Sequence, residues 1–546
     1  LGHPGKTPHL KFFEEVEKWK NARWRVTPDE IKKKVKERAE REAAESKEAS
    51  RRDEEITPEF ILKCIQANEA GDGILYCALH RGKFVYNCSS DEWLLWTGHH
   101  WKLDKPQHAL AAVEYVATRY LDEAANISRE IERQKRDGND DTRVLEKRRD
   151  DYFKRCSRMR TERGRQNCLK FARANLDGLF VEGEYLDNNP WLLPCKNGVV
   201  DLRTGAKRPG NPADYLVKAS PHEWKGLDEP ATLWEKFLME VFCDREELVA
   251  FVQRLLGCAI TGLSEEHIFA VFHGQGRNGK GLIVETIKYV MGNLVGFVQS
   301  EMLLDAGRNK SAAGPSPDIM ALKGMRIAFG SETDQDRKFS PSRVKWLSGG
   351  DTLVGRNPHD KHNTEYLPTH TLFLLTNHKP HAPADDFAFW ERILLIPFDL
   401  SFVDREPEAE NERRADKKLR AKMQEESSGI LAWLVRGCIA WQERGLDPPE
   451  DVTKATAEYQ RGEDLIGDFV EQCLELGIEH ETQASEVYHR FEIWWTLNVS
   501  KRVPKMRKFG TLLSKRFSKE KIGGVIKYIG FRLIPEPEPE EEPPPF

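Results

Sequence analysis

The sequence predicts an α/β protein: a P-loop domain on a parallel sheet, with an α/β module before it and a winged-helix-like domain after it. Three observations carry this. The stretch Gly274-Gln275-Gly276-Arg277-Asn278-Gly279-Lys280-Gly281 lies between an apolar run, Ile268–Phe272, and a helix-patterned segment, Leu282–Val290. That order of strand, glycine-rich turn and helix start cradles a nucleoside triphosphate and implies an NTPase. Two further apolar runs, within Met325–Glu332 and Thr371–Asn377, each end in polar residues, as parallel strands do where they meet a ligand. Near the C-terminus, helical segments and a basic stretch precede a Gly-Gly turn and an apolar strand, the order of a winged helix.

Composition narrows the class. A chain of 546 residues suggests three or four domains at ~150 residues each. Charged residues make up 32% but the net charge is −5, so a polyanion would meet local patches rather than the whole surface. The ten cysteines lack zinc-type spacing and read as reduced, buried thiols, which fits the cytoplasm of a bacterium or host cell. No apolar run reaches the ~18 residues a membrane span needs, and no signal peptide is visible. The chain begins at Leu1 rather than methionine, so a further segment is expected upstream.

Residues 1–55 read as a charged helical linker or arm, with a dense Lys/Arg/Glu run over 29–55. Residues 56–225 read as an N-terminal α/β module. It opens with a helix from Thr57, and short strands follow from about Phe84. Trp93, Trp96 and Trp101, around the Gly98-His99-His100 turn, are assigned to its core rather than to a base-stacking platform. The charged stretch Ile127–Arg165 reads as exposed helix, and Asn188–Gly205 as a hairpin broken at Asn-Gly and Thr-Gly. Residues 226–402 form the P-loop domain, entered through helices over Ala231–Phe242 and Arg245–Thr261. Residues 403–470 are a helical extension, with helices over Asp416–Trp441. Residues 471–534 are the winged-helix-like domain. Residues 535–546, a Pro/Glu repetition, cannot bury enough apolar surface to fold.

The chemistry concentrates in the P-loop domain. The glycines admit backbone N–H groups to phosphate oxygens, the helix N-terminus adds its dipole, and Lys280 reaches the β- and γ-phosphates. The residue after such a lysine is normally Ser or Thr, whose hydroxyl holds Mg²⁺; here it is Gly281. Glu332 closes the strand from Met325 and is positioned to polarise water or hold Mg²⁺, with Asp334 near enough to share the task. Asn377 closes the next strand and is placed to bond the γ-phosphate or orient the lytic water. Fifteen positions on, Arg392 is a candidate finger acting in a neighbouring subunit's site. Between these, Leu353–Arg356 and the Asn357-Pro358 turn suggest a hairpin, with Arg356 at its base and Lys361 and His362 near its tip.

Lys280, Glu332, Asn377 and Arg392, with the wordings Leu-Thr-Asn-His-Lys-Pro and Trp-x-Arg-x-x-x-Ile-Pro-Phe, resemble superfamily 3 helicases. More narrowly they resemble the poxvirus and phage/satellite primase-helicase group, over roughly Thr57–Leu533. The resemblance implies an AAA+-like core and a ring, commonly a homo-hexamer, that translocates on single-stranded DNA using ATP and Mg²⁺. It assigns Lys280 to Walker A, Glu332 to Walker B, Asn377 to sensor 1 and Arg392 to the finger, with the hairpin gripping DNA in the ring channel. Walker B strands of the family often end in two acids; here Ser331 takes the first place.

The reading is an ATP-dependent replicative helicase of a phage or mobile element, acting on single-stranded and forked DNA. A primase domain or protein is expected upstream, since no acidic triad within the chain supports one. In the winged-helix-like domain Lys505, Lys508, Lys515 and Arg516 are the candidate DNA contacts. The alternative is an ATP-switched origin-binding initiator without processive unwinding. A small-molecule kinase fits less well, because it needs neither hairpin nor terminal DNA-binding module.

Overall fold

The computed structural model describes residues 56–305, 314–330, 337–358, 363–499, 501 and 503–535. The N-terminal arm, Glu332, Asp334, Lys361, His362 and the tail from 536 lie outside the described residues. The chain divides into two compact units. One holds the described residues up to Leu95 together with Leu103–Val181; the other holds Trp96–Lys102 together with the described residues from Glu182 on.

The smaller unit begins with helices α1 (Pro58–Gln66) and α2 (Asn68–His80) and the strands β1 (Phe84–Asn87) and β2 (Glu92–Trp96). Three longer helices follow, α3 (Val113–Arg136), α4 (Arg143–Met159) and α5 (Glu162–Arg173), before the short strand β3 (Phe180–Val181). β1 pairs with β2 antiparallel and with β3 parallel. The charged sequence of α3 and α4 still buries one stripe, because Val116, Tyr120, Ile127, Tyr152 and Met159 recur at helical spacing and close the core. Thr57 caps α1, its hydroxyl accepting from Phe60 N at 3.2 Å.

The larger unit opens with an antiparallel meander, β4 (Leu192–Cys195), β5 (Gly198–Asp201) and β6 (Ala206–Arg208). Where the sequence suggests a two-stranded hairpin, the turn at Thr204-Gly205 returns a third strand. Helices α6 (Thr232–Val241) and α7 (Glu246–Ala259) then lead to the central sheet. Its strands are β7 (Phe269–His273), β8 (Val295–Val298), β9 (Ile327–Gly330), β12 (Thr371–Thr376) and β13 (Ile393–Pro397), with helix α8 (Lys280–Met291) after β7. A separate hairpin, β10 (Leu353–Gly355) with β11 (Thr364–Tyr366), lies between β9 and β12 in the chain.

The sheet order is β13-β7-β12-β9-β8, and every neighbouring pair is parallel. Parallel strands need crossovers, and these cover both faces with helices. Side chains therefore alternate between two cores. Ala270, Phe272, Phe329, Phe373 and Ile396 face one; Phe269, Val271, Ala328, Leu372 and Leu374 face the other. Burial on both faces is why these strands read as unbroken apolar runs.

Arg326 ties the meander to this sheet. It is 5% exposed, and its guanidinium donates to Ile260 O and Leu192 O, both at 2.6 Å. Its backbone continues the ladders, donating to Leu294 O and accepting from Thr371 N. Burial is the main cause pulling its pKa down to about 10.

After the sheet come α9 (Leu419–Glu425), α10 (Ser427–Arg444), α11 (Glu450–Gly462) and α12 (Leu465–Cys473). The last element group is β14 (Leu474–Gln483), α13 (Ala484–Asn498), α14 (Met506–Leu513), β15 (Lys519–Ile522) and β16 (Val525–Leu533). β14 and β15 both pair with β16, and Gly523 and Gly524, with φ of 62° and 87°, supply the two left-handed positions of the tight β15–β16 turn. An aromatic core of Phe469, Phe491, Trp494, Phe509 and Phe531 holds helices to strands.

Replacing Arg326 by Met should destabilise the larger unit by about 3 kcal/mol, because two buried carbonyls lose their donors. Arg203→Met, which removes an exposed pair with Asp201, should cost below about 1 kcal/mol. Urea unfolding of both variants checks this; equal midpoints would show that Arg326 is not a tie.

Candidate nucleotide site

β7 ends at His273, and the loop 274–279 turns directly into α8, whose first residue is Lys280. Two glycines here answer to sterics. A Cβ on Gly274 would stand 2.2 Å from Phe398 O, and Gly279 sits at φ 88° with Val241 Cγ2 only 2.8 Å from its Cβ position. Arg277 also adopts a left-handed φ of 63°, a costly conformation for a residue with a side chain. The surrounding backbone fixes it: Phe402 N donates to Arg277 O at 2.6 Å, and Phe398 N to His273 O at 2.8 Å. Gly276 and Gly281 face open space, with nothing within 4 Å of a Cβ.

Lys280 is 6% exposed, and its ammonium donates to Gly274 O at 2.6 Å and to Asn377 Oδ1 at 3.1 Å. Asn377 stands just past the C-terminal end of β12. Because β12 and β7 are parallel neighbours with Thr376 opposite His273, the end of one strand delivers the amide to the lysine of the other. Two residues 97 positions apart in sequence thus share one hydrogen bond.

A cleft of about 670 Å³ opens over this pair, lined on one side by Gly276–Leu282 and Asn377. The rest of the lining is mostly apolar, with Phe237 from α6, Leu375, Phe402, Ala415 and Leu419 from α9, and one carboxylate, Asp416, among them. The rings of Phe237 and Phe402 lie 6.5 Å apart. α6 is held in place at its start by Glu426, whose carboxylate accepts from Leu233 N and Trp234 N at 3.0 Å. Nothing in the sequence spacing marks Phe237, Phe402 or Leu419, which converge only through the fold.

The residues present fit a triphosphate. The α8 N-terminus, the open positions at Gly276 and Gly281 and the buried lysine form a cradle with room for phosphate oxygens. Among the described residues no group of three or more His, Cys, Asp or Glu is placed to hold a metal. The sequence-predicted carboxylates, Glu332 and Asp334, follow β9, the neighbour of β12 in the sheet, and lie outside the described residues.

Arg392 is not brought to this cleft. It precedes β13, whose Ile393 pairs with Phe269 at the start of β7, while Pro397 pairs with His273 at its end. At ~3.3 Å per residue the strand position of Arg392 lies about 15 Å from the edge that carries the loop 274–279. Its backbone O accepts from Phe269 N at 2.7 Å, its Nη1 donates to Ala388 O, and its buried Nε has no partner among the described residues. Arg356 stands at the base of the β10–β11 hairpin, where its backbone exchanges bonds with Ser316.

In the C-terminal group, Lys515 pairs with Asp385, and Arg516 donates to Asp464 at 2.5 Å. Lys505, Arg507 and Lys508 are exposed at the start of α14 and have no ion pair among the described residues. No described helix is long and apolar enough to cross a membrane.

Residues 74–243 match the family model described as D5 N terminal like. The chain is 27% identical over 334 residues to a candidate helicase of Acanthamoeba polyphaga mimivirus, covering 58% of this chain and 34% of that protein. It is 26% identical over 351 residues to a candidate helicase of Invertebrate iridescent virus 3, covering 60% and 37%. The chain thus spans little more than a third of each. Among solved structures, the apo form of the NrS-1 C terminal region aligns with 65% of this chain and 86% of its own, at 13% identity and a TM-score of 0.40. The chain resembles the poxvirus and phage-type primase-helicase group.

The two kinds of glycine should part on substitution. Gly281→Ala should keep or slightly raise stability, since it exchanges a helical glycine for a better helix former in open space. Gly274→Ala should destabilise by about 1–3 kcal/mol through the clash with Phe398 O. Thermal unfolding of the two variants decides it, and similar losses in both would contradict the packing described.

His273 gives a pH signature. Burial first, then the Lys379 and Lys280 cations, push its imidazole down to about 4. Above pH ~6.5 it is neutral folded and unfolded; below that the unfolded chain binds a proton the fold refuses. The larger unit should therefore lose stability as pH falls from about 6.5 to 4, and His273→Asn should flatten part of that fall. Urea titrations at pH 7, 5.5 and 4.5 measure it; identical pH slopes for both proteins would overturn the assignment.

Proposed function

We propose that the chain is the motor part of an ATP-dependent DNA helicase, serving replication of a phage or other mobile element in the cytoplasm of its host. The observation that carries this is the bond between Lys280 and Asn377 beneath the cleft, at the carboxyl edge of a parallel sheet. Triphosphate on the α8 N-terminus would meet Lys280 at its β- and γ-oxygens and Asn377 beside the γ-phosphate, with the base toward Phe237 and Phe402. Mg²⁺, when bound, neutralises phosphate charge; Glu332, helped by Asp334, is its proposed protein ligand and the group that polarises water.

An AAA+-like ring, with six subunits expected from the family resemblance, is part of this reading, and Arg392 is its proposed trans-acting residue. Within one chain it stands at the wrong edge of the sheet to touch its own triphosphate, so a catalytic role requires a neighbouring copy. The β10–β11 hairpin, with Arg356, Lys361 and His362, is proposed to grip single-stranded DNA. The C-terminal group is proposed as a winged-helix domain, with exposed Lys505 and Lys508 toward forked or duplex DNA. A primase is the proposed upstream companion.

The exposed basic start of α14 also favours a second reading, an origin-binding initiator in which ATP controls assembly alone. ATPase and forked-DNA unwinding, measured side by side, separate the two. DNA-stimulated ATPase with strand separation is expected, and Lys280→Ala should reduce both about 100-fold or more. Arg392→Ala should lose about 10³-fold in turnover and keep nucleotide binding. Mixed with Glu332→Gln subunits it should regain part of that rate. ATP turnover without unwinding moves the function to the initiator; no rescue at any mixing ratio removes the trans role of Arg392.

A further inference from the structure

A second cavity, of about 640 Å³, lies in the smaller unit between α1 and α4. Its α4 wall carries Lys147, Arg148, Asp151, Tyr152, Lys154 and Arg155. Spacings of three, four and seven residues put these on one helix face, so five polar or cationic groups and one carboxylate share a single depression.

The floor is buried and incompletely bonded. Tyr152 is wholly buried, and its hydroxyl has no hydrogen-bond partner among the described residues. Arg155 is 7% exposed: its Nη2 donates to Asn68 Oδ1 at 2.9 Å, while Nη1 forms an ion pair with Asp72 Oδ2 at 3.4 Å but has no hydrogen bond among the described residues. Asp72 is itself committed, accepting from the Tyr120 hydroxyl at 2.9 Å. Arg148 Nε is a third buried donor without a hydrogen-bond partner among the described residues. The Arg148 guanidinium lies beside the Tyr152 hydroxyl, offsetting part of the upward push burial gives the phenol, so the two groups together face the same small space.

The rim adds charge. Lys147, Arg148 and Lys154 have no ion pair among the described residues, whereas nearby Arg158 is taken by Glu69. Against them the lining offers one carboxylate, Asp151. Buried donors without hydrogen-bond acceptors are rare in folded proteins, and several of them on residues that line one cation-rich cavity ask for an oxygen-rich anion.

We propose that this cavity is a phosphate-binding site, distinct from the P-loop, for the phosphate group of a nucleic-acid strand or of a free phosphate ligand. The phosphate oxygens would accept from Tyr152 Oη, Arg148 Nε and Arg155 Nη1, with Lys147 and Lys154 compensating charge at the mouth. A flexible ammonium supplies charge there, while the planar guanidiniums fix direction.

The experiment uses the full chain with Lys280→Ala, which silences the other phosphate cradle, so the result does not depend on the proposed ATPase. Binding of inorganic phosphate and of a single-stranded oligonucleotide is measured by titration calorimetry at constant ionic strength. The same titrations are run on that chain with Tyr152→Phe, and with Lys147→Gln and Lys154→Gln together. The lysines are exposed and unpaired, so their loss leaves the fold intact, which thermal unfolding verifies.

The lysine pair should weaken phosphate binding about tenfold and lower the salt slope of oligonucleotide binding by about 1–2. Tyr152→Phe should weaken it about threefold or more at an unchanged salt slope, a readout a merely structural loss would not give. Loss of oligonucleotide binding identifies the source as a strand backbone. Loss of inorganic phosphate binding alone identifies a small phosphate ligand. Unchanged affinity for both probes in the folded variants overturns the site.

Discussion

A lysine ammonium buried at the carboxyl edge of an all-parallel sheet sets the terms for the larger unit. A charge that is 94% removed from solvent is tolerated only where oxygen atoms replace water. Gly274 O and Asn377 Oδ1 do this for Lys280, and each comes from the end of a different strand. Their meeting requires β7 and β12 to be parallel neighbours with ends aligned. Parallel pairing in turn requires crossover helices on both faces, and so the two apolar cores that Phe272 and Val271 enter from opposite sides. The mostly apolar wall of the cleft comes from outside those crossovers: α6 precedes the first strand of the sheet and α9 follows the last, and both pack beside the glycine loop.

Those relations explain what the sequence displayed and what it hid. The strands were legible because burial on both faces leaves no polar alternation, so β7, β9 and β12 read as apolar runs ending in polar residues. The glycine-rich turn between β7 and α8 was legible because two of its glycines are demanded by contacts that any side chain would break, at Gly274 and Gly279. The hairpin and the terminal Gly-Gly turn were legible through local turn chemistry. Phe237, Phe402 and Leu419 carry no such mark: their 182-residue spread closes only through tertiary packing. Nor did Arg326 stand out, since its carbonyl partners, Ile260 and Leu192, lie 66 and 134 positions away.

Charge was the property least readable from order alone. The basic residues before and after Phe509 look alike in sequence, yet Lys515 and Arg516 are drawn into pairs with Asp385 and Asp464 while Lys505 and Lys508 stay exposed. The Lys/Arg-rich stretch that reads as a solvated helical face behaves the same way in α4, where Tyr152 and Arg155 are turned inward and Lys147 and Lys154 are not. Helical spacing predicts which residues share a face. It does not say which cations on that face find a carboxylate.

Strand polarity decides the case of Arg392. Arg392 directly precedes β13, and the motif that carries it runs through that strand to Pro397, which does stand level with the end of β7. But β13 runs parallel to β7, so its first residue is level with the first residue of β7 and not with the P-loop. No side-chain rotation recovers about 15 Å, since an extended arginine reaches only about half that distance. A parallel sheet thus separates its two edges by chemistry: one gathers Lys280 and Asn377, the other presents Arg392 away from them. An arginine held on the far edge is out of reach of the cleft over Lys280 in its own chain, whichever rotamer it takes, because the register of the parallel strands and not the side chain sets the separation.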